Sequence, residues 1–125
     1  MISASHRLHR DELSDAENRA VYGKCNNPYG HGHNYALEVT VSGQVNSQTG
    51  MVCNLADLDD AVQREILDRF DHENLNVRQE FSAAVPTTEN LSAVIFNILK
   101  QNFTTAHLEK VRLEETMMNS FEYSG

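Results

Sequence analysis

Cysteine is scarce in this chain: two in 125 residues, Cys25 and Cys53, which is too few for a disulfide framework and points to a reducing compartment. Long apolar runs are missing as well. None approaches the ~18 residues of a membrane-crossing helix, so no membrane partner is expected. No signal-peptide pattern opens the sequence, and the expected location is the cytoplasm. Positive charge is in deficit, with 10 Lys and Arg against 18 Asp and Glu and a net charge of -8. Nucleic acids and anionic membrane surfaces require a basic face, so no general binder of either is expected. A small anionic substrate needs only a local basic patch and stays open. Internal repeats and low-complexity tracts are absent too.

The length of the chain suits one domain, residues 1–125, with one core. Ile2 to Leu8 alternate crudely, as in a short strand. Ser14 followed by Glu17 has capping-box spacing and predicts a brief helix to Val21. Tyr22 to Asn34, rich in Gly, Asn and His, reads as a loop. Tyr35 to Val45 alternates with β-branched residues and reads as a strand, closed by a turn at Asn46–Gly50. Leu55, Leu58, Val62 and Ile66 recur at helical period and predict a helix from Asn54 or Leu55 to about Arg69. A second helix is predicted from Thr88 or Glu89 to about Gln101, and strands over Lys110–Thr116 and Asn119–Tyr123. Strands at both ends with two helices between them predict an α+β fold, the helices on one face of an antiparallel sheet.

His31-Gly32-His33 is the sharpest chemical feature. In an extended segment, residues i and i+2 share a face, so two imidazoles there can chelate one ion. A catalytic zinc takes three protein ligands, and His6, on a neighbouring strand, is the natural third. A lone His-x-His is more often a surface accident, but Cys25, Gly30 and Gly32 in the same segment reverse that weighting. Cys25 is either a fourth ligand or a base, its thiol acidified by nearby positive charge such as Lys24. Asp71-His72 has the makings of a proton relay, although such a pair at a helix end is usually a solvated cap. Glu115 has the chemistry to receive paired N–H donors from a planar heterocycle, but alone it is more often a solvent-facing strand residue. Cys53, His9 and His107 carry no such context.

Together these motifs resemble the 6-pyruvoyl-tetrahydropterin synthase family over nearly the whole chain. The match runs through Ser3-Ala4-Ser5-His6-Arg7-Leu8, Gly23-Lys24-Cys25-Asn26-Asn27-Pro28, His31-Gly32-His33-Asn34-Tyr35 and Thr49-Gly50-Met51-Val52. It continues through Asp71-His72-Glu73-Asn74-Leu75, Thr87-Thr88-Glu89-Asn90 and Glu115-Thr116. The resemblance implies a tunnelling fold: a four-stranded antiparallel sheet with two helices on one face, a barrel closed by trimerisation, and two trimers stacked as a homohexamer. It implies zinc on His6, His31 and His33, with Mg2+ as a possible helper. It implies Cys25 as catalytic base, with Asp71 and His72 supplied by a neighbouring subunit. Glu115 is implied as the anchor of the pterin ring, and Thr87, Thr88 and Glu89 as a substrate-pocket segment.

The implied reaction is a lyase reaction, loss of triphosphate from 7,8-dihydroneopterin triphosphate with internal redox rearrangement, a step toward tetrahydrobiopterin. Lys24 and Arg7 are candidates for the triphosphate by proximity in sequence. Two alternatives accompany this reading. The 6-carboxytetrahydropterin synthases share fold, zinc and substrate but usually have a shorter interval than the five residues between Cys25 and His31. A catalytically silent zinc-binding homologue would be expected to lack Cys25, Asp71 or His72, and all three are present.

Overall fold

The structure is a computed structural model that describes residues 2–22, 31–115 and 119–125, with the backbone alone at His31. Its strands are β1 (Ile2–His6), β2 (His31–Ser42), β3 (His107–Glu115) and β4 (Asn119–Tyr123). They form one antiparallel sheet in the order β1-β2-β3-β4. The helices are α1 (Asp15–Tyr22), α2 (Leu55–Val62), α3 (Asp68–Phe70) and α4 (Thr88–Asn102). The expected α+β arrangement is therefore the one observed.

Strand β2 begins at His31, three residues before the end of the loop that composition suggests. The reason is pairing: Gly32 lies opposite Ser5, and His33 opposite Ala4, so β1 supplies a ladder that Gly and Asn content does not forbid. Helix α1 starts as its capping box requires. Ser14 Oγ accepts from the Glu17 N–H and Glu17 Oε1 from the Ser14 N–H, both at 3.1 Å. Asn18, which sequence reasoning passed over, is fully buried on that helix. Its amide donates to the carbonyls of Arg10, Leu13 and Ser14 and accepts from the Arg10 N–H, stitching the preceding loop to the helix.

The long predicted helix is not uniform. Asn54 caps α2 by accepting from the Ala56 N–H, but a π-turn over Gln63–Leu67 separates α2 from α3. The buried residues explain it. Leu58, Ala61, Ile66 and Phe70 are spaced three, five and four apart, and the wider π-turn brings Ile66 back onto the face that α2 began. Ile66 and Phe70 then join Leu91, Ile95 and Leu99 of α4 against Ile2, Tyr35, Val111 and Leu113 of the sheet. Burying such side chains stabilises by about 1.5–3 kcal/mol each, so this one layer dominates the cohesion of the fold.

The outer edge of β1 is covered by the chain itself. After α3, Asp71 Oδ1 accepts from the Ser3 N–H at 2.8 Å, the His72 N–H donates to the Ser3 carbonyl, and the Ser5 N–H donates to the Glu73 carbonyl at 3.0 Å. Two 3-10 turns, Leu75–Val77 and Gln79–Phe81, then lead to Pro86 and α4.

Candidate active site

Strand parity places the candidate residues. Ile2, Ala4 and His6 alternate inward along β1. Tyr35 lies opposite Ile2 on one side and Glu115 on the other, and His33 lies opposite Ala4. Residues opposite each other in an antiparallel pair point the same way, so His6, His33, Tyr35 and Glu115 share the core-facing side of the sheet. They stand where that face runs out of aliphatic side chains, beneath the start of α4.

The cluster is tight. The rings of His6 and His33 are 4.7 Å apart, edge to face. His33 Nδ1 lies 2.9 Å from Glu115 Oε1, and both side chains are 13% exposed. His6 is buried, with Nδ1 2.9 Å from the Pro86 carbonyl oxygen. The Tyr35 hydroxyl stands 3.4 Å from the same nitrogen. Thr88 Oγ1 donates to Glu115 Oε2. One nitrogen of each histidine and one oxygen of Glu115 all lie within 4.8 Å of one another, a group able to hold a metal ion. Two imidazoles and a carboxylate are a donor set that zinc accepts.

Of the three histidines expected at a metal, the structure brings His6 and His33 together. His31 lies in β2 opposite His6, and its side chain is outside the described residues. Cys25 and Lys24 also lie outside them, as does Thr116. Asp71 and His72 flank β1 on the edge away from β2, their side chains 3.5 Å apart. Asp71 is tied to the β1 backbone, whereas the His72 side chain is 83% exposed and its φ is +62°. Within one chain His72 is thus turned outward while Asp71 is held against β1. Both His33 and His72 border a cavity of about 390 Å³ along the β1–β2 seam, together with Ser3, Ser5, Gly32 and Asn34.

The Thr87-Thr88-Glu89 segment divides. Thr87 is the N-cap of α4, Thr88 reaches the cluster through Glu115, and Glu89 is exposed. Arg7 follows β1 with its backbone N–H and carbonyl clasped by the Asn76 amide. His107 is exposed, while His9 is half-buried beside Asp11. Sequence reasoning missed the Pro86 carbonyl, a backbone group that leaves no signature, and the Tyr35 hydroxyl, which the strand pattern registers only as an apolar ring.

A meander sheet with a largely buried two-histidine, one-carboxylate cluster on its core face defines an α+β protein with a candidate metal centre. The family model for 6-pyruvoyl tetrahydropterin synthase matches residues 1–125, and the chain belongs to that family. It is 48% identical over 126 residues to the 6-pyruvoyl tetrahydrobiopterin synthase of Drosophila melanogaster, a match covering 99% of this chain and 75% of that protein. With the Homo sapiens protein of the same name it shares 46% over 125 residues, 99% of this chain and 86% of that one. The solved structure of Caenorhabditis elegans 6-pyruvoyl tetrahydropterin synthase superposes with a TM-score of 0.93 at 44% identity, covering 99% of this chain and 89% of that one.

Proposed function

We infer that the chain catalyses the reaction its family is named for. As one tunnelling-fold domain it converts 7,8-dihydroneopterin triphosphate to 6-pyruvoyl-tetrahydropterin, a lyase reaction that expels triphosphate and moves hydrogens within the substrate. The observation that carries this reading is the His6–His33–Glu115 cluster, set on the core face of a fold that matches the family from end to end.

His6, His31 and His33 are the proposed zinc ligands. Bound there, zinc supplies Lewis-acid polarisation of the substrate's side-chain oxygens. Cys25, as thiolate, removes and returns the side-chain protons. His72, its ring held by Asp71, carries them between positions. Because the His72 ring is exposed in a single chain, it suits a cysteine on a neighbouring subunit, and a homohexamer of two trimers follows from the same reading. Glu115 receives the N–H donors of the pterin ring. No helix among the described residues is long and apolar enough to cross a membrane. A cytoplasmic location is part of the same proposal.

Incubating the purified chain with the triphosphate and identifying the products by mass spectrometry tests the proposal. The 6-pyruvoyl product with released triphosphate is expected. A 6-carboxy product would assign the chain to the sister reaction, and no turnover by a zinc-loaded hexamer would make it a silent homologue.

A further inference from the structure

Two contacts decide which nitrogen each clustered imidazole offers. His6 Nδ1 lies 2.9 Å from the Pro86 carbonyl oxygen. A carbonyl only accepts, so this nitrogen carries the proton and the ring's donor lone pair is on Nε2. His33 Nδ1 lies 2.9 Å from Glu115 Oε1. An ionised carboxylate also only accepts, which puts the His33 lone pair on Nε2 as well. The other Glu115 oxygen receives the hydroxyl of Thr88, which is 4% exposed. Pro86 and Thr88 bracket Thr87, the N-cap of α4. That cap is itself secured: Thr87 Oγ1 accepts from the Asn90 N–H at 3.1 Å, and Asn90 Nδ2 donates to the Val85 carbonyl at 2.8 Å. One loop-to-helix junction therefore governs both rings, His6 directly and His33 through Glu115.

We propose that Glu115, gripped by Thr88, is the positioning residue that orients His33 for metal binding, in addition to whatever contact it makes with the pterin. This rests on the zinc reading of the cluster. Orienting partners of metal-bound histidines fix tautomer and ring plane, and losing one typically weakens metal binding about 10- to 100-fold. Thr88 acts one step further out, by stopping the carboxylate from swinging away from His33. The segment that sequence comparison suggests as a substrate pocket thereby acquires a second task at the metal.

The test measures zinc affinity of the full-length chain by competition with a chromophoric chelator, with the absorption spectrum of the cobalt-substituted protein as a second readout. Glu115→Ala is expected to weaken zinc binding about 10- to 100-fold. Glu115→Gln is expected to lose less and to keep the parent cobalt spectrum, because its amide oxygen still accepts from His33 Nδ1. Thr88→Val should weaken binding and Thr88→Ser restore it; this pair decides the matter if Glu115→Ala does not fold. Parent affinity in Glu115→Ala, or in folded Thr88→Val, would overturn the proposal. A loss in Glu115→Gln as large as in Glu115→Ala, with an altered cobalt spectrum, would make Glu115 a direct ligand and also overturn it. A parent protein that takes up no zinc defeats the metal reading itself, whereas one that takes up zinc regardless of Glu115 defeats this inference alone.

Discussion

Glu114 and Glu115 are chemically identical neighbours with opposite surroundings. Glu115 points to the core side and meets His33 and Thr88, whereas the Glu114 carboxylate lies 3.3 Å from Arg112 on the other face. A half-exposed ion pair between side chains on one strand, solvated at its open side, contributes little. In zinc-saturated protein, Glu115→Ala is therefore expected to weaken binding of a pterin analogue by about 1–3 kcal/mol or more, because buried N–H donors lose their acceptor. Glu114→Ala should change it little. Fluorescence titration of the two variants checks the ranking, and the reverse order would mean that the functional register of β3 is displaced by one residue. His33→Ala is expected to lose stoichiometric zinc, read by metal analysis after gel filtration. Retention of one zinc per chain would remove His33 from the ligand set.

Between α3 and α4 the chain has little regular structure, yet it must deliver Pro86 and Thr88 to the cluster. An ion network braces its start. Glu80 lies 3.2 Å from Arg69 and 3.4 Å from Arg78, and the Arg78 guanidinium sits 5.9 Å above the ring of buried Phe70. Burial pushes the Glu80 carboxyl up, but its backbone hydrogen bond and the guanidinium groups of Arg78 and Arg69 outweigh that and hold it below the ordinary value of 4.5. The folded chain thus binds this proton less readily than the unfolded one. The contribution of Glu80 to stability is complete above the ordinary value and is lost as pH falls through it toward the lower folded value. Glu80→Gln is expected to lower the urea midpoint at pH 7 and to flatten its decline between about pH 5 and pH 3. An unchanged acid limb would show that the network does not brace this segment.

Sheet edges bear on assembly. The outer edge of β1 is occupied by Asp71–Asn74 of the same chain, while among the described residues no strand pairs with the far edge of β4. An open edge invites pairing with another chain. Val45, Leu55 and Val77 add exposed apolar surface, each at least 60% exposed. The open β4 edge supports the proposed hexamer, in which the exposed His72, steadied by Asp71, reaches the cysteine of a neighbour. Sedimentation across a dilution series, paired with assays, is expected to show activity disappearing with the hexamer. An active monomer would refute the shared site.

Strand alternation, helical periodicity and the Ser14–Glu17 capping box lie in local sequence, and they are legible because each arises between residues a few positions apart. The four strands, helix α4, the helical course that the π-turn interrupts and the choice of His6 and His33 as candidates for one site follow from them, with His-x-His spacing as the decisive mark. Three things could not be read that way. The start of β2 at His31 depends on a partner strand 25 residues earlier, and the π-turn at Gln63–Leu67 on where the core leaves room for Ile66. The tautomers of His6 and His33 depend on Pro86 and Glu115, which lie 80 and 82 residues further along the chain. A hydrogen bond to a distant carbonyl or carboxylate leaves no periodic trace; it exists only once β1, β3 and the start of α4 are packed around one point.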